Sequence, residues 1–151
     1  MNYHLVILKK PYLQAVLDGS KTVESRLTRT RRSYFGRVFP GDRLFLKVSA
    51  GPVSGIATAA AVKYFTNLTA ARIDRLRQTY NHLIKANIDY WQSKRDCRFG
   101  MLVWLKDVGV IEPFRINKKD WRSWVVLTPQ ENYGLAGPAV LGEGGQFQSP
   151  G

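Results

Sequence analysis

Apolar residues recur along this chain first at the period of strands, then of helices, then of strands again, and each change of period marks an element. Leu5-Val6-Ile7-Leu8, with His4 before it, is an apolar run of strand length and predicts a short buried strand over 4–8. Pro11 stands where a helix can begin, because its missing N–H is not needed in a first turn. Tyr12, Leu13, Val16 and Leu17 then fall at helical spacing, and Gly19 supplies the stop. Thr22 to Leu27 returns to alternation. Val23, Ser25 and Leu27 share one face; Thr22, Glu24 and Arg26 share the other.

Pro40-Gly41-Asp42 is a turn signal leading into a strand over 43–49. After a second turn at Gly51-Pro52, residues 53–65 read as a long strand in which Gly55, Ala57, Ala59 and Ala61 permit close packing or a strong bend. From Thr69 to about Lys94 the period is helical. Ile73, Leu76, Tyr80, Leu83, Ile84 and Trp91 form one stripe, with Thr69 as N-cap and an interruption at Asn81 or Asn87. Two strands follow, over 99–111 with a break at Asp107 or Gly109, and over 121–127. This order predicts an α+β fold: a mixed β-barrel with a short N-terminal helix and a longer helical excursion over about 69–94. Residues 129–151 hold six glycines, three prolines, no Lys or Arg and no period, so a disordered tail is expected after a domain of residues 1–128.

Composition sharpens this picture in two respects. Cys97 is the only cysteine of the 151 residues, which excludes an internal disulfide framework and fits a reducing compartment. The apolar run ends at Lys9-Lys10-Pro11, too short for a signal-peptide core or a membrane span, so a cytoplasmic protein without membrane contact is expected. Charge says more. Lys and Arg number 23 against 11 Asp and Glu, for a net +12. The excess lies in residues 1–50 (10 basic, 3 acidic) and 51–100 (8 and 3), while the remainder balances at 5 and 5. Such a chain points to a polyanion, with RNA or single-stranded nucleic acid as the expected partner.

The segment Gly19-Ser20-Lys21-Thr22-Val23-Glu24-Ser25-Arg26 concentrates the chemistry. Gly19 allows a left-handed turn from helix to strand. Lys21 sits at that turn, where a flexible ammonium can reach a phosphate or a base carbonyl. Glu24 and Arg26, two apart in a strand, project from one face; they can pair with each other beside a cleft or hydrogen-bond a nucleobase edge. Thr22 adds a hydroxyl on the same face, and a surface Glu–Arg pair alone contributes only about 0–1 kcal/mol.

The pattern G-x-K-x-x-E-x-R, directly after a short helix opened by Lys10-Pro11-Tyr12 and followed by Gly41-Asp42, resembles the signature of the ASCH domain, a branch of the PUA-like superfamily of RNA-associated barrels. The resemblance spans about residues 4–128. It implies a PUA-like barrel with a cleft beside the first helix that receives RNA or a modified base. It also implies a second reading, a hydrolase with Lys21 and Glu24 as catalytic residues. Some family members cleave RNA, and others deacetylate N4-acetylcytidine. This chain departs from the deacetylating members: they carry a threonine where Glu24 stands and use a later glutamate, whereas residues 43–111 here contain none.

Tyr12, Lys47 and Ser49 are further candidates for the cleft, together with Lys21, Thr22, Glu24 and Arg26. Nucleic-acid contacts are expected from Lys9 and Lys10, from the arginine-rich connector of Arg29, Arg31, Arg32 and Arg37, and from Lys118, Lys119 and Arg122. Tyr34 and Phe35 interleave the connector and can stack on unpaired bases, with at least one of Phe35 and Phe39 expected in the core. Trp104, Trp121 and Trp124 are expected in the core. His4, His82 and Cys97 fit no zinc spacing, and no phosphate or dinucleotide glycine fingerprint is present, so neither metal nor cofactor is expected. A binding module, a hydrolase and a protein-interaction domain with an acidic partner all remain open at this level.

Overall fold

Apolar residues on both faces of most strands require a sheet covered on both sides, and the chain meets that requirement by curling. The computed structural model describes residues 1–116 and 121–128. Its elements run β1 (Tyr3–Leu8), α1 (Lys10–Leu17), β2 (Val23–Thr28), β3 (Arg43–Val48), β4 (Val53–Phe65), α2 (Ala70–Ile84), α3 (Ile88–Ser93), β5 (Phe99–Phe114) and β6 (Trp124–Leu127). The strands form one six-stranded mixed sheet in the order β2-β5-β4-β3-β1-β6, curled into a half-barrel. β1 pairs parallel with β3, and the other neighbours are antiparallel. The expected α+β architecture, a curled mixed sheet with a short N-terminal helix and a longer helical excursion, is therefore present. Its last strand begins at Trp124 rather than Trp121. The expected tail at 129–151, and Lys118 and Lys119, lie outside the described residues.

Alternation divides the core into three parts. Val6 and Leu8 of β1, Leu44 and Leu46 of β3, and Met101 and Val103 of β5 meet Leu13 and Val16 of α1 and Trp124 in one cluster. Tyr3, Leu5, Phe45, Val53, Val125 and Leu127 form a second, on which Ile111 and Phe114 pack. Val23 and Leu27 of β2 form the third with Ile73, Leu76 and Ile84 of α2 and Trp91 of α3. The small residues of β4 have a specific use: a Cβ at Gly55 would lie 3.0 Å from a Leu17 methyl, so glycine lets α1 pack tightly on the sheet.

The long helical stretch divides where asparagines offer alternative hydrogen bonds. Thr69 caps α2 by accepting the Arg72 N–H, and α2 ends with Lys85 in the left-handed region at φ 60°. Asn81 bonds both polar groups of Ala86, and Asn87 caps α3 by accepting the Tyr90 N–H. In β5, Asp107 has φ 50° and the register with β4 shifts repeatedly, so the anticipated interruption is a set of irregularities within one continuous strand.

A buried polar cluster fixes the inner end of β1. His4 is 0% exposed, and its Nδ1 accepts the Trp124 indole N–H at 3.1 Å. Indole nitrogen only donates, so the His4 proton resides on Nε2, which donates to Asp42 at 2.8 Å. Asp42 also accepts the main-chain N–H groups of Asn2 (2.9 Å) and Phe39 (3.0 Å). Burial holds the His4 pKa below its ordinary 6.5, and the hydrogen bond His4 donates to Asp42, with the charge of that carboxylate, only partly offsets it. For Asp42 burial acts upward, but the bonds from His4, Asn2 and Phe39 outweigh it and lower the pKa.

A lowered His4 pKa means that the unfolded chain binds a proton before the folded chain does. Its stabilising contribution is therefore full above pH 6.5 and is lost as pH falls toward the folded value. Urea titrations across this window are expected to show stability falling by up to about 1.4 kcal/mol per pH unit from this histidine. His4→Gln should flatten the dependence below pH 6.5.

Candidate functional site

The turn after α1 delivers the signature segment. Gly19 adopts φ 86°, and Lys21 N–H returns to the Ala15 carbonyl at 3.0 Å, so the chain reverses within four residues of Leu17. Thr22 then locks the entry to β2 by donating its N–H to the Leu83 carbonyl and accepting the Leu105 N–H, at 3.0 and 2.9 Å. As the alternation predicts, Val23 and Leu27 face the helices. Ser25 lies with them, its hydroxyl 2.8 Å from that of Tyr90 in α3. Burial drives the Tyr90 phenol pKa upward, so this hydroxyl stays protonated.

Lys21, Glu24 and Arg26 converge on the opposite side. Lys21 is 3% exposed and donates to the carbonyls of Val23 (3.0 Å) and Ile84 (2.6 Å), with Glu24 Oε1 at 3.7 Å. The two carbonyls accept hydrogen bonds from the ammonium, and the Glu24 carboxylate stands at ion-pair distance from it. Burial lowers the Lys21 pKa, Glu24 opposes the shift and Arg26 adds to it. The ring of Tyr12 lies 5.4 Å from the Lys21 nitrogen. Lys21 thus ties the turn to the end of α2 and to Glu24; its donors are engaged within the chain.

Arg26 bridges the open seam of the half-barrel. From β2, at one edge of the sheet, it donates to the carbonyls of Ile7 in β1 (3.0 Å) and Ser123 just before β6 (3.3 Å), and its guanidinium sits 5.4 Å from the Trp124 ring. Glu24 accepts the Ser25 N–H through Oε1 at 2.9 Å. Its other oxygen, Oε2, lies 3.5 Å from an Arg26 nitrogen, at ion-pair distance but without a hydrogen bond. Glu24 Oε2 and Arg26 Nε are both buried and have no hydrogen-bond partner among the described residues.

A cleft of about 930 Å³ opens along this seam. Its lining includes Lys9, Tyr12, Lys21, Glu24, Arg26, Lys47, Ser49 and Arg122 from the sequence expectation. Lys47 is buried and donates to the Val48 carbonyl at 3.2 Å, whereas Lys9, Ser49 and Arg122 are exposed. Lys94 joins them, so six cationic side chains face two carboxylates, Glu24 and Asp89.

Other expected residues lie elsewhere. Thr22 is exposed and outside the lining, because its main chain rather than its hydroxyl is what β2 needs there. Lys10, Arg29, Arg31, Arg32 and Arg37 also fall outside it. Arg29 pairs with Asp96 at 2.7 Å on the surface, and Arg31 stacks over Phe35 at 5.0 Å. Phe35 packs edge-on against Tyr64 and Phe99, while Phe39 is exposed. Tyr34 enters the core and also lines the cleft, where burial raises its pKa.

Sequence reasoning missed Tyr90 and Lys94, whose membership depends on how α3 folds back after Asn87. It also misplaced Trp121: this residue is fully exposed on the cleft wall, not in the core, whereas Trp124 is buried as expected. The exposed Trp121 lies ahead of the first β6 residue, which accounts for the difference. Cys97 is buried with its thiol pKa raised by burial, which suits packing and not nucleophilic attack. Among the described residues no cluster of three or more His, Cys, Asp or Glu could hold a metal, and no helix is long and apolar enough to cross a membrane.

This architecture matches solved structures. An ASCH protein from Zymomonas mobilis superposes with a TM-score of 0.64, covering 89% of this chain and 93% of its own, at 16% identity. The chain has the ASCH fold. A single-substitution variant of the Zymomonas mobilis ASCH protein gives a TM-score of 0.65 over 90% of this chain and 97% of that one, again at 16% identity. No family model and no curated protein matches the sequence. At this identity the likeness to the ASCH structures is one of fold, and the site rests on the geometry described above.

Lys21→Met should leave the Val23 and Ile84 carbonyls and the Glu24 carboxylate short of a buried donor. A loss on the order of 2–4 kcal/mol in urea unfolding is expected. Arg29→Ala, which breaks an exposed pair, should cost less than about 1 kcal/mol in the same assay.

Proposed function

We propose that this protein is an RNA-binding module whose ASCH cleft receives RNA or a modified nucleobase beside Glu24 and Arg26. One observation carries the reading: a buried acceptor, Glu24 Oε2, and a buried donor, Arg26 Nε, have no hydrogen-bond partner among the described residues and belong to side chains that line a cationic cleft. Buried polar atoms in folded proteins nearly always find partners, and an orphaned pair at a cleft suits a ligand that supplies them. A nucleobase edge presents donors and acceptors side by side. The surrounding cations suit its phosphates.

A hydrolase acting on RNA or on a modified nucleoside such as N4-acetylcytidine is the second reading, with Glu24 as the acid–base group. The orphaned carboxylate oxygen favours it to that extent. Lys21 weighs against its own catalytic part, because its donors already face two main-chain carbonyls and Glu24.

Fluorescence anisotropy with a labelled octaribonucleotide tests the binding reading. If about three phosphates are neutralised, affinity should fall roughly twentyfold between 50 and 200 mM salt. Glu24→Gln, which keeps the shape and an acceptor for Ser25, should weaken binding by about tenfold. Because Lys21 and Arg26 lose a buried counter-charge, its thermal midpoint should also fall, so binding is compared at a temperature where circular dichroism shows the variant folded. Binding that ignores both salt and Glu24→Gln would remove this reading. Release of nucleotides or of acetate by the wild-type protein, abolished in Glu24→Gln, would establish the hydrolase instead.

A further inference from the structure

Three of the four tryptophans are covered by other groups. Trp91 and Trp124 are buried, and Trp104 packs edge-on against Tyr80. Trp121 is 100% exposed, although tryptophan normally removes roughly 150–250 Å² from water. The chain just after it is anchored. Two residues later the Ser123 carbonyl accepts both the Ile7 N–H at 2.9 Å and the Arg26 guanidinium at 3.3 Å, which anchors the segment to the seam. Trp121 therefore stands on the wall of the cleft with Arg122 next to it, and Lys9 and Lys94 line the same cleft from other elements.

We infer that Trp121 is a stacking platform for an unpaired base, so that the ligand of this cleft is single-stranded RNA and not duplex. The inference rests on the RNA-binding reading above and specifies its substrate class. An exposed indole offers a π-face to any base, while nearby cations attract the adjoining phosphates. Inside a duplex both faces of each base are covered by neighbours, and the A-form groove that carries most of the readable base edges is too narrow for side chains. Neither route gives an indole a surface to stack on. A single strand presents its base faces freely. It can lay one base on Trp121 while the next reaches Glu24 and Arg26.

Anisotropy titrations of wild type, Trp121→Ala, Trp121→Phe and Glu24→Gln with an octaribonucleotide, free and annealed to its complement, test this. Wild type should bind the single strand more tightly than the duplex. Trp121→Ala should lose roughly 5- to 100-fold in affinity for the single strand, and Trp121→Phe should retain most of it. Indole fluorescence should be quenched on binding in wild type and much less in Trp121→Phe, and circular dichroism should match in all four proteins. Equal affinity of wild type and Trp121→Ala, with Glu24→Gln still weakened, would overturn the platform while leaving the cleft reading intact. Equal affinity for duplex and single strand would also overturn it. Failure of wild type to bind either would remove both.

Discussion

The buried ammonium of Lys21 is the constraint on which this molecule is organised. An ammonium taken out of water needs acceptors and a counter-charge, and here the start of β2 and the end of α2 supply two carbonyls while Glu24 supplies the negative charge. The helical excursion is thereby drawn against the strand that bears the signature segment. Glu24 is fixed in the same step, one oxygen beside Lys21 and the Ser25 N–H and the other left over. The lysine acts as a positioning residue for the carboxylate, and the geometry of the cleft floor follows from it.

Arg26 performs the complementary task across the sheet. A half-barrel in which β2 and β6 are the two edges has a seam, and α1 carries the chain over from β1 to β2. The Arg26 guanidinium spans that seam through two carbonyls and rests against Trp124. The cleft thus exists because the sheet does not close, and it keeps its width because one side chain holds the edges together. A lysine in this position would supply the charge but not the planar fork that reaches two carbonyls at once.

Much of this was legible in the sequence, for reasons that differ from residue to residue. The α1–β2 turn could be read because Pro11 and Gly19 have local conformational causes, and the faces of β2 because strand alternation is strict. Thr69 as a cap, and an interruption of the helical run at Asn81 or Asn87, are similarly local. The roles of Lys21 and Arg26 were not legible, since their partners at Ile84, Ile7 and Ser123 are distant in sequence and are main-chain oxygens, which leave no mark in residue type. Composition also failed to separate Trp121 from Trp124: both precede or open the same strand, and only the point at which pairing with β1 begins sends one outward and the other inward. The arginine-rich connector is a separate case. A dense run of charge draws attention, yet Arg29, Arg31, Arg32 and Arg37 belong to a surface beyond the cleft lining.

The His4 cluster bears on where recognition can occur at all. Trp124 occupies one imidazole nitrogen and Asp42 the other, while both Asp42 oxygens accept from the chain and the pair is shut away from solvent. A histidine beside a carboxylate, a pairing that elsewhere would invite catalysis, is here committed to internal hydrogen bonds and out of a visitor's reach. These polar groups are sealed into the scaffold. The exposed charged groups of the cleft lie instead at the unclosed rim, where substitutions leave the sealed interior, and with it the fold, untouched.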